Sequence, residues 1–336
     1  MEFGLAFRIL VGLLGMLLSA CAGATATSMP TPSIKPTAGP VDFMWSVTGD
    51  PEPLKQPSGL ALDPQRNLYV VDTLNHHIRI FSPDGQPLAT WGSLGSGEGQ
   101  FNFQWKENLT FDEQDDVAAG VALDSRGNVY VADVGNFRVQ KLDSQGHFLM
   151  QWKTVSPDPN QVSQPFDLAV DSQGNVYTID LQSFVTKYDR RGNWVARWGG
   201  SGVGDGVFIN PGYLALDQNG NVYVTDPVQP AIQKFDSNGE FLARLKVSAK
   251  GATLFGLGAM PMGIAVDEQG NIYVTDFRSN SLIILDANGQ PLMEWGRQGR
   301  EEGQLYGPLD VAVDSAGNIY VSETYNNRIQ KFRLNK

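Results

Sequence analysis

Residues 121–142 read VALDSRGNVYVADVGNFRVQKL. A short apolar run is followed by Asp-Ser-Arg-Gly-Asn, then by Val-Tyr-Val-Ala-Asp, then by a third run of alternating character. Asp and Gly at these offsets are tight-turn residues, and the Val- and Tyr-rich runs beside them suit strands, so the stretch predicts strand, hairpin, strand, strand. The first two strands and their turn recur five more times: GLALDPQRNLYVVD (59–72), DLAVDSQGNVYTID (167–180), YLALDQNGNVYVTD (213–226), GIAVDEQGNIYVTD (263–276) and DVAVDSAGNIYVSE (310–323). Working outward, a second turn follows the third run: SPDG at 82–85, DSQG at 143–146, DRRG at 189–192, DSNG at 236–239 and DANG at 286–289. A fourth run comes next and ends in Trp91, Trp152, Trp198 and Trp295 in four of the units. Four antiparallel strands in a period of about 45 residues is the pattern of a β-propeller blade. The expected fold class is all-β: a six-bladed β-propeller of four-stranded antiparallel blades.

The sixth unit reaches Lys336 after its third strand and lacks an outer one. Residues 41–49, VDFMWSVTG, have fourth-strand character, with Trp45 where the other units place their tryptophan. These residues are expected to pair with the strand around Arg328–Leu334. The N-terminal strand then completes the last blade and protects edges that would otherwise invite aggregation.

The units resemble NHL repeats, whose pattern includes apolar-Ala-Val-Asp, Gly-Asn-x-Tyr-Val-x-Asp and Asn-x-Arg-Val-Gln-Lys-Phe. VGNFRVQKL (134–142) and TYNNRIQKF (324–332) match the last element, whereas units three, four and five depart from it. The resemblance spans residues 41–336 and implies a propeller over that whole range. The pairs Asp133/Arg138 and Glu323/Arg328 are expected to be structural salt bridges.

The 336 residues carry 25 Lys+Arg against 36 Asp+Glu, a net charge of −11, which argues against a nucleic-acid partner because phosphate binding needs clustered cations. With a single cysteine, no internal disulfide forms. That cysteine, Cys21, follows the apolar stretch Ile9–Leu18 in the context Leu18-Ser19-Ala20-Cys21. The stretch is too short to span a bilayer, which takes about 20 residues. It resembles a bacterial lipoprotein signal, which implies cleavage after residue 20, a lipid on Cys21, and export across the cytoplasmic membrane to a lipid-anchored place at the cell envelope. Residues 21–40 are small, polar and Pro-rich and read as a tether, which at about 3.1 Å per residue extends up to roughly 60 Å. The expected organisation is a signal peptide at 1–20, a lipidated tether at 21–40 and a monomeric propeller at 41–336.

Function is sought where a unit departs from the repeat. NHL-type amidating lyases and the related streptogramin lyases depend on channel histidines. This chain has His76, His77 and His147, which are not placed to converge. The position that opens the innermost strand is Gly59, Gly120, Asp167, Tyr213, Gly263 and Asp310 in successive units. Asp167, Tyr213 and Asp310 are therefore expected at one mouth of the channel, with the two aspartates facing across it. No cofactor is expected, and a divalent cation between those aspartates is the alternative. Gluconolactonase-type propellers use channel-mouth carboxylates with a metal, so a hydrolase or lyase working through Asp167 and Asp310 stands as the second reading of function. The long connector NFQWKENLTFDEQDDVAA (102–119) should overhang the same face and offer Phe103, Trp105 and Phe111 to a ligand. The leading expectation is a binding or scaffold module for a protein, peptide or glycan outside the cytoplasm.

Overall fold

The computed structural model describes residues 40–49, 51–104, 118–154, 163–248 and 258–335. They form six four-stranded antiparallel sheets. Blade one comprises Pro57–Leu62, Leu68–Asp72, His77–Phe81 and Pro87–Trp91, and blade two Val121–Leu123, Val129–Asp133, Arg138–Leu142 and Phe148–Lys153. Blades three, four and five repeat this order from Pro165–Val170, Leu214–Leu216 and Pro261–Val266. The inner strands contact one another in succession, and that of blade six, Pro308–Val313, returns to that of blade one. The ring expected from the repeats is present.

The first hairpin turns show why Asp-x-x-Gly-Asn recurs. In blade two Asp124 accepts the backbone N–H of Asn128 at 3.0 Å on Oδ1 and its side-chain amide at 2.7 Å on Oδ2. The Tyr130 hydroxyl donates to the same Oδ2 at 3.1 Å. Gly127 adopts φ 78°, a left-handed value that glycine accepts without steric cost. Blade one puts Arg66 at that position with φ 65°.

The second turns explain the tryptophans. Four outer-strand indoles lie against the turn glycine of the next blade: Trp45 under Gly85, Trp91 under Gly146, Trp152 under Gly192 and Trp198 under Gly239. Blade four, which lacks the tryptophan, sets Leu245 under Gly289. A methyl group on Gly146 would stand 2.6 Å from the Trp91 ring, so a side chain there would displace the indole.

Closure follows the expected pairing. Val41–Val47 runs antiparallel to Arg328–Leu334, with Val41 opposite Leu334 and Val47 opposite Ile329. Phe43 meets Phe332 edge-on at 6.2 Å, and Trp45 meets Tyr320 at 5.9 Å. The Trp45 indole N–H donates to the Pro83 carbonyl of blade one at 3.0 Å. The Gly-rich connectors GSLGSGEGQF, GGSGVGDGVF and GRQGREEGQL each fold on a parallel bridge, Leu94 with Phe101, Ser201 with Phe208 and Gln298 with Leu305. Phe101, Phe208 and Leu305 are fully buried between blades, which makes these loops connectors and not phosphate cradles.

Candidate functional site

The inner strands expose one backbone edge to the ring axis, and its N–H groups need acceptors. Where the opening residue is Gly59, Gly120 or Gly263, the next blade's backbone approaches so closely that a side chain would collide with Ala119, Asp167 or Asp310 respectively. Gly59 N donates to the Ala119 carbonyl at 3.0 Å. Where the opening residue is aspartate, its carboxylate performs that task. Asp167 Oδ2 accepts the Leu214 N–H at 2.8 Å, and Asp310 Oδ2 accepts the Leu60 N–H at 2.8 Å. Asp310 Oδ1 also accepts the Val311 N–H at 2.8 Å. Leu214 and Leu60 hold the same register in blades four and one, so the two aspartates bridge blade three to four and blade six to one.

All three residues expected at the channel mouth come together, but they are buried. Asp167, Tyr213 and Asp310 are only 5%, 2% and 6% exposed. The Tyr213 ring is part of the buried apolar core. It packs edge-on against Phe166 at 6.4 Å, and its hydroxyl has no hydrogen-bond partner among the described residues. Burial pushes the Asp167 carboxyl up to about 7. Burial and then the nearby Asp167 charge push Asp310 well above the carboxylate range. Burial, with both aspartates adding to it, raises the Tyr213 phenol. Two carboxylates share this low-dielectric space, so the pair holds on to a proton near neutrality.

This has a stability consequence. The unfolded carboxyl titrates near 4. A folded value raised above that contributes stability that is full below about pH 4 and is lost as pH rises through about 7. An Asp167→Asn/Asp310→Asn variant removes this titration, so its melting temperature should fall less between pH 5 and pH 8 than that of the parent. Parallel losses in the two proteins would show that the pair does not titrate as described.

The three histidines do not gather into one cluster. The ring of His76 is buried, its Nδ1 accepts the Phe103 N–H at 3.2 Å, and desolvation lowers its pKa. His77 faces Glu52 at 3.8 Å, and the exposed His147 pairs with Asp143 at 2.9 Å. Among the described residues no three His, Cys, Asp or Glu side chains gather around a point. A calcium ion takes six to eight oxygen ligands, and the Asp167 and Asp310 oxygens are already engaged with amides. The donor set does not fit a divalent cation.

Phe103 differs from expectation. It is fully buried, stacks on Phe101 at 5.3 Å and on His76 at 6.1 Å, and belongs to the core between blades one and two. The connector's first described residues continue the packing of Phe101. Trp105, Phe111 and Cys21 lie outside the described residues.

Three hydroxyls join the axial site. Tyr213, Gly263 and Asp310 donate their N–H groups to Thr225, Thr275 and Ser322 Oγ at 2.9, 2.8 and 2.9 Å. Their signal in the sequence is slight: the residue before the strand-ending acid is Thr or Ser in units four to six and Val71, Ala132 or Ile179 in units one to three.

The expected structural salt bridges are present. Arg138 Nε donates to Asp133 at 2.6 Å, and Arg328 Nε to Glu323 at 2.6 Å. Blade three, which lacks that arginine, brings Arg197 from its outer strand to Asp180 at 2.6 Å. Blade four uses Gln229, whose amide donates to Asp226 at 2.7 Å.

Comparison with known proteins agrees with this geometry. The NHL repeat model matches residues 54–81, 116–142, 259–285 and 305–332, that is, segments of blades one, two, five and six. Blade five matches although it lacks the Asn-x-Arg element. No curated protein matches the sequence. Among solved structures, a streptogramin B lyase aligns with a TM-score of 0.57 at 14% identity, covering 88% of this chain and 97% of that one. Virginiamycin B lyase from Staphylococcus aureus aligns with a TM-score of 0.57 at 12% identity, over 88% of this chain and 100% of that one. A gluconolactonase from Xanthomonas campestris aligns with a TM-score of 0.57 at 16% identity, over 84% and 86%. Identities this low speak for the fold alone. Four stretches of the chain match the NHL repeat, and the described residues build a six-bladed propeller closed by the strand Val41–Val47.

Proposed function

We propose that this chain is a lipid-anchored binding module of the cell envelope, an NHL-repeat propeller that presents its connector face to a protein, peptide or glycan. One observation carries the reading. Asp167 and Asp310, the polar residues that break the repeat at the axis, spend their carboxylate oxygens on backbone N–H groups of neighbouring blades. Their role is to knit the ring, which leaves recognition to the rim and to the long connector between blades one and two. The Leu18-Ser19-Ala20-Cys21 motif supports the anchor, since one acyl chain binds a membrane only marginally and the lipoprotein type of modification adds more than one.

The test is affinity capture from the native envelope with the full chain, its Trp105→Ala variant and its Cys21→Ala variant. Trp105→Ala should lose a specific partner while melting like the parent, because truncating an aromatic anchor typically costs about 2 kcal/mol of binding or more. Cys21→Ala should leave the membrane fraction still folded. Equal capture by the Trp105→Ala chain would remove the connector from the interface.

A second reading, an axial hydrolase or lyase, has the raised carboxyl of Asp167 in its favour, since a general acid–base works best with a pKa near the operating pH. The propeller fold is shared with a gluconolactonase and streptogramin lyases. Turnover of a lactone by the parent and its loss in Asp167→Asn would establish this reading over the first.

A further inference from the structure

We propose an anion-binding cleft on the face opposite the connectors, at the junction of blades two and three, that takes a phosphate- or carboxylate-bearing ligand of about monosaccharide size. The first turn of blade two and both turns of blade three enclose a cleft of about 300 Å³. Arg126, Lys141, Arg190 and Arg191 line it, with Asp124 as its one acid. In a chain of net charge −11 this is a local excess of positive charge.

The Asp124 carboxylate is already saturated. It accepts the Arg126 and Asn128 N–H groups, the Asn128 side-chain amide and the Tyr130 hydroxyl, and it pairs with Lys141 at 3.5 Å. Asp189, beside Arg190 in the chain, is likewise taken up by the Arg191 and Asn193 N–H groups and the Asn193 side chain. Arg126, Arg190 and Arg191 are exposed, and none forms an ion pair among the described residues.

The repeat shows that the scaffold does not require these arginines. At the position of Arg126 the other units carry Gln65, Gln173, Asn219, Gln269 and Ala316. At the position of Arg190-Arg191 they carry Pro83-Asp84, Ser144-Gln145, Ser237-Asn238 and Ala287-Asn288. Three arginines thus line one concave site at positions where other blades carry neutral or acidic residues. Guanidinium forks bind carboxylate and phosphate oxygens in bidentate fashion, which favours an oxyanion over a neutral sugar. Ser172 and Gln173 complete the lining and can bond the hydroxyls of a polar body that carries the anion.

This site is independent of the connector-face reading. The test is calorimetric titration of the full chain at low salt with inorganic pyrophosphate, glucose 6-phosphate and glucuronate, repeated on Arg126→Gln and Arg190→Gln/Arg191→Gln. Glutamine occupies the positions of Arg126 and Arg191 in other blades, and uncharged residues occupy that of Arg190, so both variants should melt like the parent. The parent should bind at least one probe, and each variant should weaken that binding by about tenfold or more. Glucose 6-phosphate against glucuronate tells which oxyanion is preferred. Absence of binding to all three probes up to about 1 mM would overturn the proposal. Undiminished binding by both variants would overturn it equally.

Discussion

A chain lacking residues 41–47 is expected to lose the cooperative melting of the whole ring and to aggregate. Those residues are the outer strand of blade six, and they pair along Arg328–Leu334 from Val41 opposite Leu334 to Val47 opposite Ile329. The Asn335 N–H extends the pairing by donating to the Pro40 carbonyl at 3.0 Å. Each ladder hydrogen bond is worth about 1 kcal/mol net. Uncovering Phe332 and Tyr320 forfeits apolar burial at about 25 cal/mol per Å² on top of that. Together these reach roughly 5–10 kcal/mol, comparable to the entire stability of an ordinary domain. The loss also reaches blade one, because Trp45 covers Gly85 and its indole N–H holds the Pro83 carbonyl. Calorimetry and size-exclusion chromatography of the truncated chain check this. A soluble monomer melting at the parent's temperature would show that the ring does not depend on its closing strand.

That closure was legible because Trp45 repeats a position seen four more times, and a one-residue slip in a strand would turn its apolar set to the wrong face. Turns were equally legible, since Asp124, Gly127 and Asn128 act through contacts within five residues of chain. What the sequence did not reveal is where side chains point once distant blades meet. Asp167 and Asp310 lie in the first half of their inner strands. Their bonds to Leu214 and Leu60 span 47 and 250 residues and exist only in the assembled ring. The burial of Phe103 is hidden for a related reason. Its aromatic character reads the same on a binding loop as in a core, and only its stacking on Phe101 and His76 decides between them. Blade three's substitution of Arg197 for the missing strand-three arginine was likewise hidden, because Arg197 and Asp180 become neighbours only through strand pairing.

Arg138→Ala should be about as costly as a large core deletion. The Arg138 side chain donates to Asp133 at 2.6 Å and also to the carbonyls of Ser96, Gly97 and Gln100, between 2.8 and 2.9 Å. It therefore fixes the connector from blade one to blade two as well as pairing a fully buried acid. Burial raises the Asp133 carboxyl above its ordinary value even with Arg138 beside it, so the pair itself is no large net gain. Removing one partner differs from removing both, because a lone buried carboxylate costs about 3–5 kcal/mol. In the variant Asp133 must either stay charged without its partner or take up a proton. Its folded pKa then rises further above the unfolded value near 4, and stability drains away as pH climbs through that interval. The penalty of Arg138→Ala should accordingly be larger at pH 7 than at pH 4, and adding Asp133→Asn should recover part of it. Blade four shows what a rescued arrangement needs: Ala231 stands where Arg138 stands, while Gln229 and Gln233 serve Asp226 and the Val207 carbonyl instead. Blade two has Gln140 already bound to Gln100 and Asp133, with nothing in reserve for the carbonyls Arg138 would abandon. Denaturant unfolding at the two pH values decides the matter. A loss below about 1 kcal/mol, or one equal at both, would mean that the connector holds without its arginine and that Asp133 is satisfied by Asn102, Asn136 and Gln140 alone.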